Sequence, residues 1–259
     1  MKSLLKNSYY IIRDRLFFSR KVNFLVCGTQ KGGTTALAEY LSEHHEICMA
    51  KRKEVHFFDK VELPDYSHYH AFFSPKKHHK VLGEATPIYM YWDNAPERIH
   101  EYNSQMKLIV VLRNPVDRAY SHWNMTRNRG QEPLSFREAI ECEEARCKDK
   151  KSEDSRRYSY LDRGHYLEQL ERLWSLFPRE NILVLKNEDL KNFPQETLNK
   201  VCDFIGVSHL DNVQKRDVHS RTYESKISED DRAYLQAVYA DGIKGLEKEL
   251  GWNCSEWLV

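Results

Sequence analysis

Residues 31–35 (KGGTT) combine a lysine, two glycines and two hydroxyl groups shortly after the apolar run 22–27. Glycines let a backbone come close to phosphate or sulfate oxygens, and a helix N-terminus offers unpaired N–H groups and a positive dipole end. Thr34 and Thr35 can cap a helix over residues 36–45. The pattern predicts a strand, an anion-binding loop and a helix, although a tight turn without a ligand is the alternative for a glycine pair. The residues expected to hold the anion are Lys31, Gly32, Gly33, Thr34 and Thr35.

This loop differs from the P-loop that binds nucleoside triphosphates. Gly28 and Gly33 have the glycine spacing of G-x-x-x-x-G-K-[ST], but Thr34 occupies the lysine position and Lys31 precedes the glycine pair. A nucleotide kinase or nucleoside triphosphatase with a degenerate loop is therefore the alternative class. It predicts Mg²⁺-dependent turnover of ATP and a preference for a triphosphate over adenosine 3′,5′-bisphosphate (PAP).

Two groups of carboxylates follow predicted strands. Glu54, His56 and Asp59 come after the short apolar run 47–50, and a carboxylate near an imidazole and a cation suits a general base. A solvated loop anchored by its phenylalanines is the alternative for this segment. Glu84 lies at the end of the next predicted strand, where open α/β sheets place their ligands, and is a second-rank site candidate together with Asp59.

The clearest buried strand, residues 107–112 (KLIVVL), runs directly into Arg113. A nucleoside triphosphatase would be expected to carry an aspartate there to hold Mg²⁺, whereas an arginine can fork onto a further phosphate. An ion pair at a helix terminus is the structural alternative for Arg113. Pro115 predicts the first turn of the following helix. Later in the chain, Arg221 can close over an anion or be an ordinary surface charge.

These residues need a scaffold of alternating strands and helices. Strand-length apolar runs at 22–27, 47–50, 81–89, 107–112 and 181–186 alternate with stretches of helical periodicity. That alternation predicts an α/β fold with a central, mainly parallel sheet flanked by helices. We expect one domain over residues 1–259, with a charged, insertion-like surface segment at 126–163 that is either mobile or in contact with the acceptor.

Composition narrows the function further. The 259 residues carry 40 basic and 39 acidic side chains, a net charge of +1, so nothing in the total charge calls for a nucleic acid. Six cysteines form no C-x-x-C pair and predict reduced, mostly buried thiols; a bridge between Cys142 and Cys147 is the alternative. Histidines at 68, 70, 78 and 79 match no established metal spacing, so we expect no metal and assign the segment to the wall of an acceptor cleft.

The N-terminal residues 1–21 interleave basic and apolar side chains, as in a basic amphipathic helix at a membrane surface. A helix packed on its own domain is the alternative, and a non-enzymatic membrane-surface module is a third class of function. The sequence has no secretory signal and no apolar run of the ~20 residues needed to span a bilayer. We therefore expect a cytoplasmic protein, with peripheral membrane contact through this segment only if the helix is not packed on its own domain.

Four motifs in order resemble the sulfotransferases that use 3′-phosphoadenosine 5′-phosphosulfate (PAPS), most closely the heparan-sulfate type and its bacterial relatives. They are FLVCGTQKGGTTAL at 24–37, KEVHFFD at 53–59, GEATPIY at 83–89 and LIVVLRNPVDRAYSHW at 108–123. The likeness covers residues 22–207, with a weaker tail. It implies a P-loop-like three-layer fold, PAPS as sulfuryl donor without a metal, and a hydroxyl or amine acceptor on a carbohydrate or glycolipid.

By position, the resemblance implies that residues 31–35 hold the 5′-phosphosulfate and that Arg113 and Ser121 bind the 3′-phosphate. Glu54 would be the general base beside His56 and Asp59, Lys31 would stabilise charge on the leaving phosphate, and Arg221 would close over the nucleotide. One departure is that Ala85 replaces the family's lysine in E-K-T-P. The aromatic residues expected near the acceptor cleft are Phe72, Tyr89, Tyr91 and Trp92, for which packing in the core is the alternative.

Overall fold

A computed structural model describes residues 21–215 and 226–259 of the chain. At its centre is a parallel sheet of five strands in the order β2-β3-β1-β4-β5. The strands are β1 (Phe24–Gly28), β2 (Ile47–Met49), β3 (Val81–Ala85), β4 (Lys107–Leu112) and β5 (Ile182–Lys186). All five coincide with the apolar runs of the sequence, and the predicted parallel α/β fold is confirmed.

Helices connect the strands, as parallel pairing requires. Those of the described residues are α1 (Thr34–Ser42), α2 (Tyr66–His70), α3 (Ala95–Tyr102), α4 (Pro115–Asn128), α5 (Phe136–Glu141), α6 (Glu143–Arg146), α7 (Glu153–Tyr158), α8 (Tyr166–Leu176), α9 (Asn187–Asn192), α10 (Pro194–Ile205) and α11 (Glu229–Leu250). Short 3₁₀ turns lie at Asp162–Gly164, Arg179–Asn181 and Ser255–Trp257.

The sheet has an apolar core on each face. Successive side chains of a strand point to opposite faces, so Leu25 of β1 enters one core and Val26 the other. Helices α3, α4, α8 and α11 cover the first face, and α1 and α10 cover the second. The result is the three-layer arrangement that the resemblance implied, and it fixes the carboxyl ends of β1 and β4 side by side.

Helix α4 begins where the sequence predicted. Pro115 occupies its first turn, and the Asn114 side chain accepts a hydrogen bond of 3.0 Å from the backbone N–H of Val116. An asparagine cap satisfies one of the donors that every helix start leaves unpaired, and proline needs no partner there. Arg113, the residue before the cap, is therefore held at the junction of a buried strand and a rigid helix.

The charged segment 126–163 folds into three short helices, α5 to α7, and packs into the protein. Phe136 and Tyr160 are 5% and 0% exposed and belong to the main core. Arg163, at the end of this segment, is 2% exposed. The segment is therefore part of the folded core rather than a solvated surface loop. Two of its arginines, Arg156 and Arg163, contact the site described below.

Some expectations concern residues at the edge of the described ranges. Residues 1–20 and Arg221 lie outside them, so the amphipathic N-terminal helix and the closing arginine stay predictions. Lys21 donates a hydrogen bond of 3.0 Å to the carbonyl of Tyr102. All six cysteines are free thiols, with Cys142 exposed and the others buried. Among the described helices, none combines the length and apolarity needed to cross a membrane.

Candidate active site

The loop between β1 and α1 approaches its neighbours too closely for side chains. A Cβ added to Gly32 would lie 2.3 Å from the carbonyl oxygen of Val111 in β4. Gly33 has a φ of 99°, which glycine adopts without strain, and a Cβ there would lie 2.2 Å from Nδ2 of Asn187. Lys31 also has a positive φ, 70°. Both glycines are thus required by the local geometry, in agreement with an anion-binding loop.

Contacts from three other elements fix the shape of this loop. The N–H of Thr29 donates to the Val111 carbonyl at 3.0 Å, and Asn187 at the start of α9 donates through Nδ2 to the Gly32 carbonyl at 2.9 Å. Arg163 donates through Nη1 to Oε1 of Gln30. A loop held from β4, α9 and the charged segment keeps its amides in fixed directions.

The threonines do not cap α1, and that prediction was wrong. The helix begins at Thr34 with Gly33 as its N-cap, and no side chain caps it. Thr34 and Thr35 instead occupy the first turn, so their backbone N–H groups are among those without an intrahelical partner. These amides and the positive end of the helix dipole face the loop that carries Lys31, which favours an anion.

Arg113 and Ser121 belong to the neighbouring strand–helix unit. Arg113 directly follows β4, which pairs with β1, so it lies at the same edge of the sheet as the loop. Within the described residues its guanidinium forms no hydrogen bond or ion pair, although the Tyr166 hydroxyl donates to its carbonyl at 2.9 Å. The helix-terminus ion pair is therefore not formed there. Ser121 lies two turns along α4 and is buried.

Glu54, His56 and Asp59 form a connected chain. Nε2 of His56 lies 3.4 Å from Oε2 of Glu54, and Nδ1 of His56 lies 2.8 Å from Oδ2 of Asp59. Lys53 contacts the other oxygen of Glu54 at 3.0 Å. Glu54 and His56 are each about one third exposed, whereas the Asp59 side chain is 1% exposed. The chain therefore runs from the protein interior to a carboxylate that solvent can reach.

Mutual contacts set the charges of this chain. Burial opposes ionisation of Glu54, but the hydrogen bond from His56 and the charge of Lys53 outweigh it and lower the pKa of Glu54 to about 2. Hydrogen bonds to Asp59 and Glu54 raise the pKa of His56 to about 9. Burial also opposes ionisation of Asp59, yet His56 and Arg156 lower its pKa. At neutral pH the chain is carboxylate, imidazolium, carboxylate.

Glu54 and His56 have backbone φ angles of 58° and 54°, in the left-handed region that side chains with a Cβ rarely adopt. Strain of this kind persists only where surrounding contacts hold it, and it clusters at functional sites. The holding contacts come from the last residue of β3 and the segment that follows it. Glu54 N–H donates to the Ala85 carbonyl at 3.1 Å, Val55 N–H to the Thr86 hydroxyl at 3.0 Å and Phe57 N–H to the Tyr89 hydroxyl at 2.8 Å.

Glu84 lies beneath this segment and is 0% exposed. Its carboxylate accepts hydrogen bonds from the hydroxyls of Thr86 (2.6 Å), Tyr89 (3.0 Å) and Tyr69 (3.1 Å). Burial raises its pKa to about 7 against these stabilising bonds. Glu84 thus contacts the protein interior rather than a cleft. Ala85 is buried in the core of the opposite face, so no cation replaces the lysine of the family motif at this position.

Arg156 is a site residue that the sequence did not single out. From α7 it pairs through Nη1 with Oδ2 of Asp59, donates through Nη2 to the Asp59 carbonyl at 3.0 Å, and lies 4.1 Å from the ring centroid of Trp92. His122 on α4 packs against the ring of Tyr160. It is buried, and desolvation followed by the charges of Arg163 and other nearby cations lowers its pKa well below the ordinary value.

A polar cleft of about 190 Å³ lies next to these residues. Its lining residues are Tyr91, Asp93, Lys150, Asp162, His165, Glu168, Gln169 and Arg172. Tyr91 connects it to the loop, because Arg163 packs 4.8 Å from the Tyr91 ring centroid and also binds Gln30. Of the four aromatics expected near the acceptor, Tyr89 and Trp92 are buried and only Phe72 and Tyr91 are partly exposed.

The histidines of residues 60–80 serve separate contacts, such as the one between Nε2 of His70 and the Tyr102 hydroxyl at 2.9 Å. No cluster of three or more potential metal ligands occurs in residues 21–215 and 226–259.

A glycine-rich loop after β1, an arginine after the adjacent β4 and a carboxylate–imidazole chain after β2 are carried by a parallel sheet with helices on both faces, which is a P-loop-like α/β fold. A family model described as "Sulfotransferase domain" matches residues 21–237, and the chain belongs to that family. It is 31% identical over 191 residues to human "Heparan sulfate glucosamine 3-O-sulfotransferase 6", covering 72% of this chain and 52% of the relative. The chain thus spans about half the length of the curated relatives it matches.

Solved structures agree with the family. A sulfotransferase from Alicyclobacillus acidocaldarius superposes with a TM-score of 0.80 at 28% identity, over 92% of this chain and 99% of that one. The mouse sulfotransferase SULT7A1 complexed with PAP has a TM-score of 0.51 at 20% identity, over 74% of this chain and 62% of that one. The second likeness supports the fold alone.

Proposed function

We propose that this chain transfers a sulfuryl group from PAPS to a hydroxyl or amine of a carbohydrate or glycolipid. One observation carries the proposal: two anion-binding features, the loop after β1 and Arg113 after β4, lie at the same edge of the sheet. PAPS has a 5′-phosphosulfate and a 3′-phosphate on one adenosine, so it needs two such features. Family membership supports the same donor.

Each feature takes one end of the donor. Lys31 and the first amides of α1 bind the 5′-phosphosulfate, and Arg113 with Ser121 binds the 3′-phosphate. When the acceptor oxygen or nitrogen forms its bond to sulfur, the bond between sulfur and the 5′-phosphate oxygen breaks and leaves its electron pair on that oxygen. Lys31 and the helix dipole stabilise the developing charge, and PAP is the product.

Glu54 accepts the acceptor's proton. A carboxylate with a pKa of about 2 is a weak base toward a free hydroxyl. Bond formation to sulfur, however, makes the attacking O–H strongly acidic, so the proton can move late in the reaction. His56 is charged at neutral pH and has no free site for a proton in that state. It therefore orients Glu54, while Asp59 and Arg156 hold His56.

The charge of the neighbouring cleft favours an acceptor without negative charge. Its lysine and one arginine are already paired, Lys150 with Asp162 and Arg172 with Asp93 at 3.2 Å. Glu168 adds a further carboxylate to the lining. A polysulfated chain would meet these carboxylates, whereas hydroxyl groups of a neutral or amine-bearing sugar can bond to them. The similarity to heparan sulfate sulfotransferases supports a carbohydrate acceptor. The carboxylates of the cleft support an acceptor without negative charge.

Calorimetric titration tests the donor. We expect PAP to bind without Mg²⁺ and more tightly than ATP with Mg²⁺, and we expect radiolabelled sulfate to pass from PAPS to neutral or amine-bearing glycans in an acceptor screen. Tighter binding of ATP with Mg²⁺, together with its hydrolysis, would instead support the degenerate P-loop kinase. A folded sample without measurable affinity for PAP would refute the proposal.

A further inference from the structure

Two amides of the segment 54–59, here called the catalytic segment, are held by hydroxyl groups, whereas the amide of Glu54 donates to the backbone carbonyl of Ala85. The amides of Val55 and Phe57, on either side of His56, donate to the hydroxyl oxygens of Thr86 at 3.0 Å and Tyr89 at 2.8 Å. A hydroxyl is both donor and acceptor, and its hydrogen can rotate. These hydroxyls hold the amides only while their own hydrogens point elsewhere.

Glu84 determines where those hydrogens point. Both hydroxyls donate to its carboxylate, Thr86 at 2.6 Å to one oxygen and Tyr89 at 3.0 Å to the other. An ionised carboxylate only accepts hydrogen bonds, so each hydroxyl must present its lone pairs to the backbone amide on its other side. The network is fully buried, where an unmade hydrogen bond is costly.

We infer that Glu84 is a positioning residue for the reaction: through Thr86 and Tyr89 it holds the backbone around His56, and so aims Glu54 and His56 at the reacting atoms. This inference rests on the proposed function and adds to it a buried residue that supports the catalytic segment from the protein interior. The positive φ angles of Glu54 and His56 show what is being held, because that conformation needs support from its surroundings.

Tyr69 offers a matched control. Its hydroxyl donates to the same oxygen of Glu84 as Tyr89 does, at 3.1 Å, and its ring is equally buried. Only the Tyr89 hydroxyl also accepts a backbone amide of the catalytic segment. Tyr69→Phe therefore removes one donor to Glu84, whereas Tyr89→Phe removes a donor and the acceptor of the Phe57 amide.

The experiment compares Glu84→Gln, Tyr89→Phe and Tyr69→Phe at pH 8, where the wild-type carboxylate is mostly ionised. We expect kcat at saturating substrates to fall roughly 10- to 100-fold in Glu84→Gln and Tyr89→Phe, as a small misplacement of catalytic groups produces. The affinity for PAP should change less than about twofold, and Tyr69→Phe should keep kcat within about threefold of wild type, because neither depends on the amides of the segment.

Amide hydrogen exchange gives a readout that does not need activity. Glutamine keeps one acceptor oxygen and places an NH2 donor at the other position, so the expected result is faster exchange of at least one of the Val55 and Phe57 amides in Glu84→Gln. Exchange of Phe57 should also be faster in Tyr89→Phe but not in Tyr69→Phe. Equal losses of kcat in the two tyrosine variants, or unchanged exchange and kcat in Glu84→Gln, would overturn the inference. If Glu84→Gln does not fold, the tyrosine pair decides. A wild-type protein that transfers no sulfate refutes the proposed function, while exchange still tests the positioning.

Discussion

Replacing Arg156 by glutamine should destabilise the protein through Asp59. The Asp59 side chain is 1% exposed and shares its charge between Arg156 and His56. Breaking a buried ion pair by removing one partner costs about 3–5 kcal/mol. His56 remains as a partner of Asp59, and Arg156 is 26% exposed. We therefore expect a smaller loss in the free energy of unfolding, ~2 kcal/mol, which includes the loss of the contact between Arg156 and Trp92.

The adjacent arginine is the control. Arg157 is on the same helix and partly buried, and within the described residues it forms no hydrogen bond or ion pair, only a contact of 5.8 Å with the Tyr158 ring. Urea denaturation at pH 7 should give a loss of less than about 0.5 kcal/mol for Arg157→Gln. Equal losses in the two variants would refute the idea that the charged segment supports the base through Asp59.

The activity of Arg156→Gln should also fall, but for a different reason from its loss of stability. Without Arg156, Asp59 loses one of the contacts that lower its pKa, and it holds His56 less firmly. We expect kcat to fall roughly tenfold under conditions where the variant is still folded, with the affinity for PAP unchanged. Arg156→Lys restores a charge without the fork and should recover part of both losses.

Three further outcomes follow from the site. Arg113→Ala should weaken PAP binding by roughly 30-fold, as loss of a charge-assisted pair predicts, but leave the affinity for adenosine 5′-phosphosulfate unchanged in calorimetry because that ligand has no 3′-phosphate. Lys31→Ala should lower turnover more than donor affinity; unchanged turnover would contradict its role in the transition state. Gly33→Ala should abolish donor binding, since the new methyl group would meet Asn187 at a φ of 99°, and circular dichroism would separate this from unfolding.

The pKa of Glu84 gives a prediction about pH. The folded carboxyl holds its proton up to about pH 7, whereas an unfolded one releases it near 4.5, so between these values the unfolded state binds fewer protons and stability falls as pH rises. At ~1.4 kcal/mol per unit, wild type should lose ~3 kcal/mol relative to Glu84→Gln across this window. Parallel stability curves for the two proteins, measured by denaturation, would contradict this burial effect.

The strands were predictable because each is a short apolar run that the sheet buries on both faces. KLIVVL and NILVLK need no tertiary information to be identified as buried strands. Arg113 was predictable because it directly follows such a run. The start of α1 was not, because Gly33 with a positive φ takes the capping position and leaves the threonines inside the first turn.

The residues missed by sequence reasoning act across long separations. Asn187 contacts Gly32, 155 positions away, and Arg156 contacts Asp59, 97 positions away. Charged residues in a charged run look solvated until their partners are known. One local signal was present: Ser135 and Glu138 form a capping box at the start of α5, which indicates that the segment is folded rather than an exposed run of charge.

Loops near an acceptor site are often exchanged to redirect an enzyme to a new substrate. In this chain the segment 126–163, which contains α7, cannot be exchanged without losing contacts elsewhere in the proposed site. One short stretch anchors both parts of the proposed site: Arg156 binds Asp59 in the chain that contains the proposed base, and Arg163 binds Gln30 in the loop proposed to hold the donor. A graft that replaced residues 126–163 for a different sugar would remove both anchors at once. Chimeras that retain these two arginines should keep turnover while their acceptor range changes.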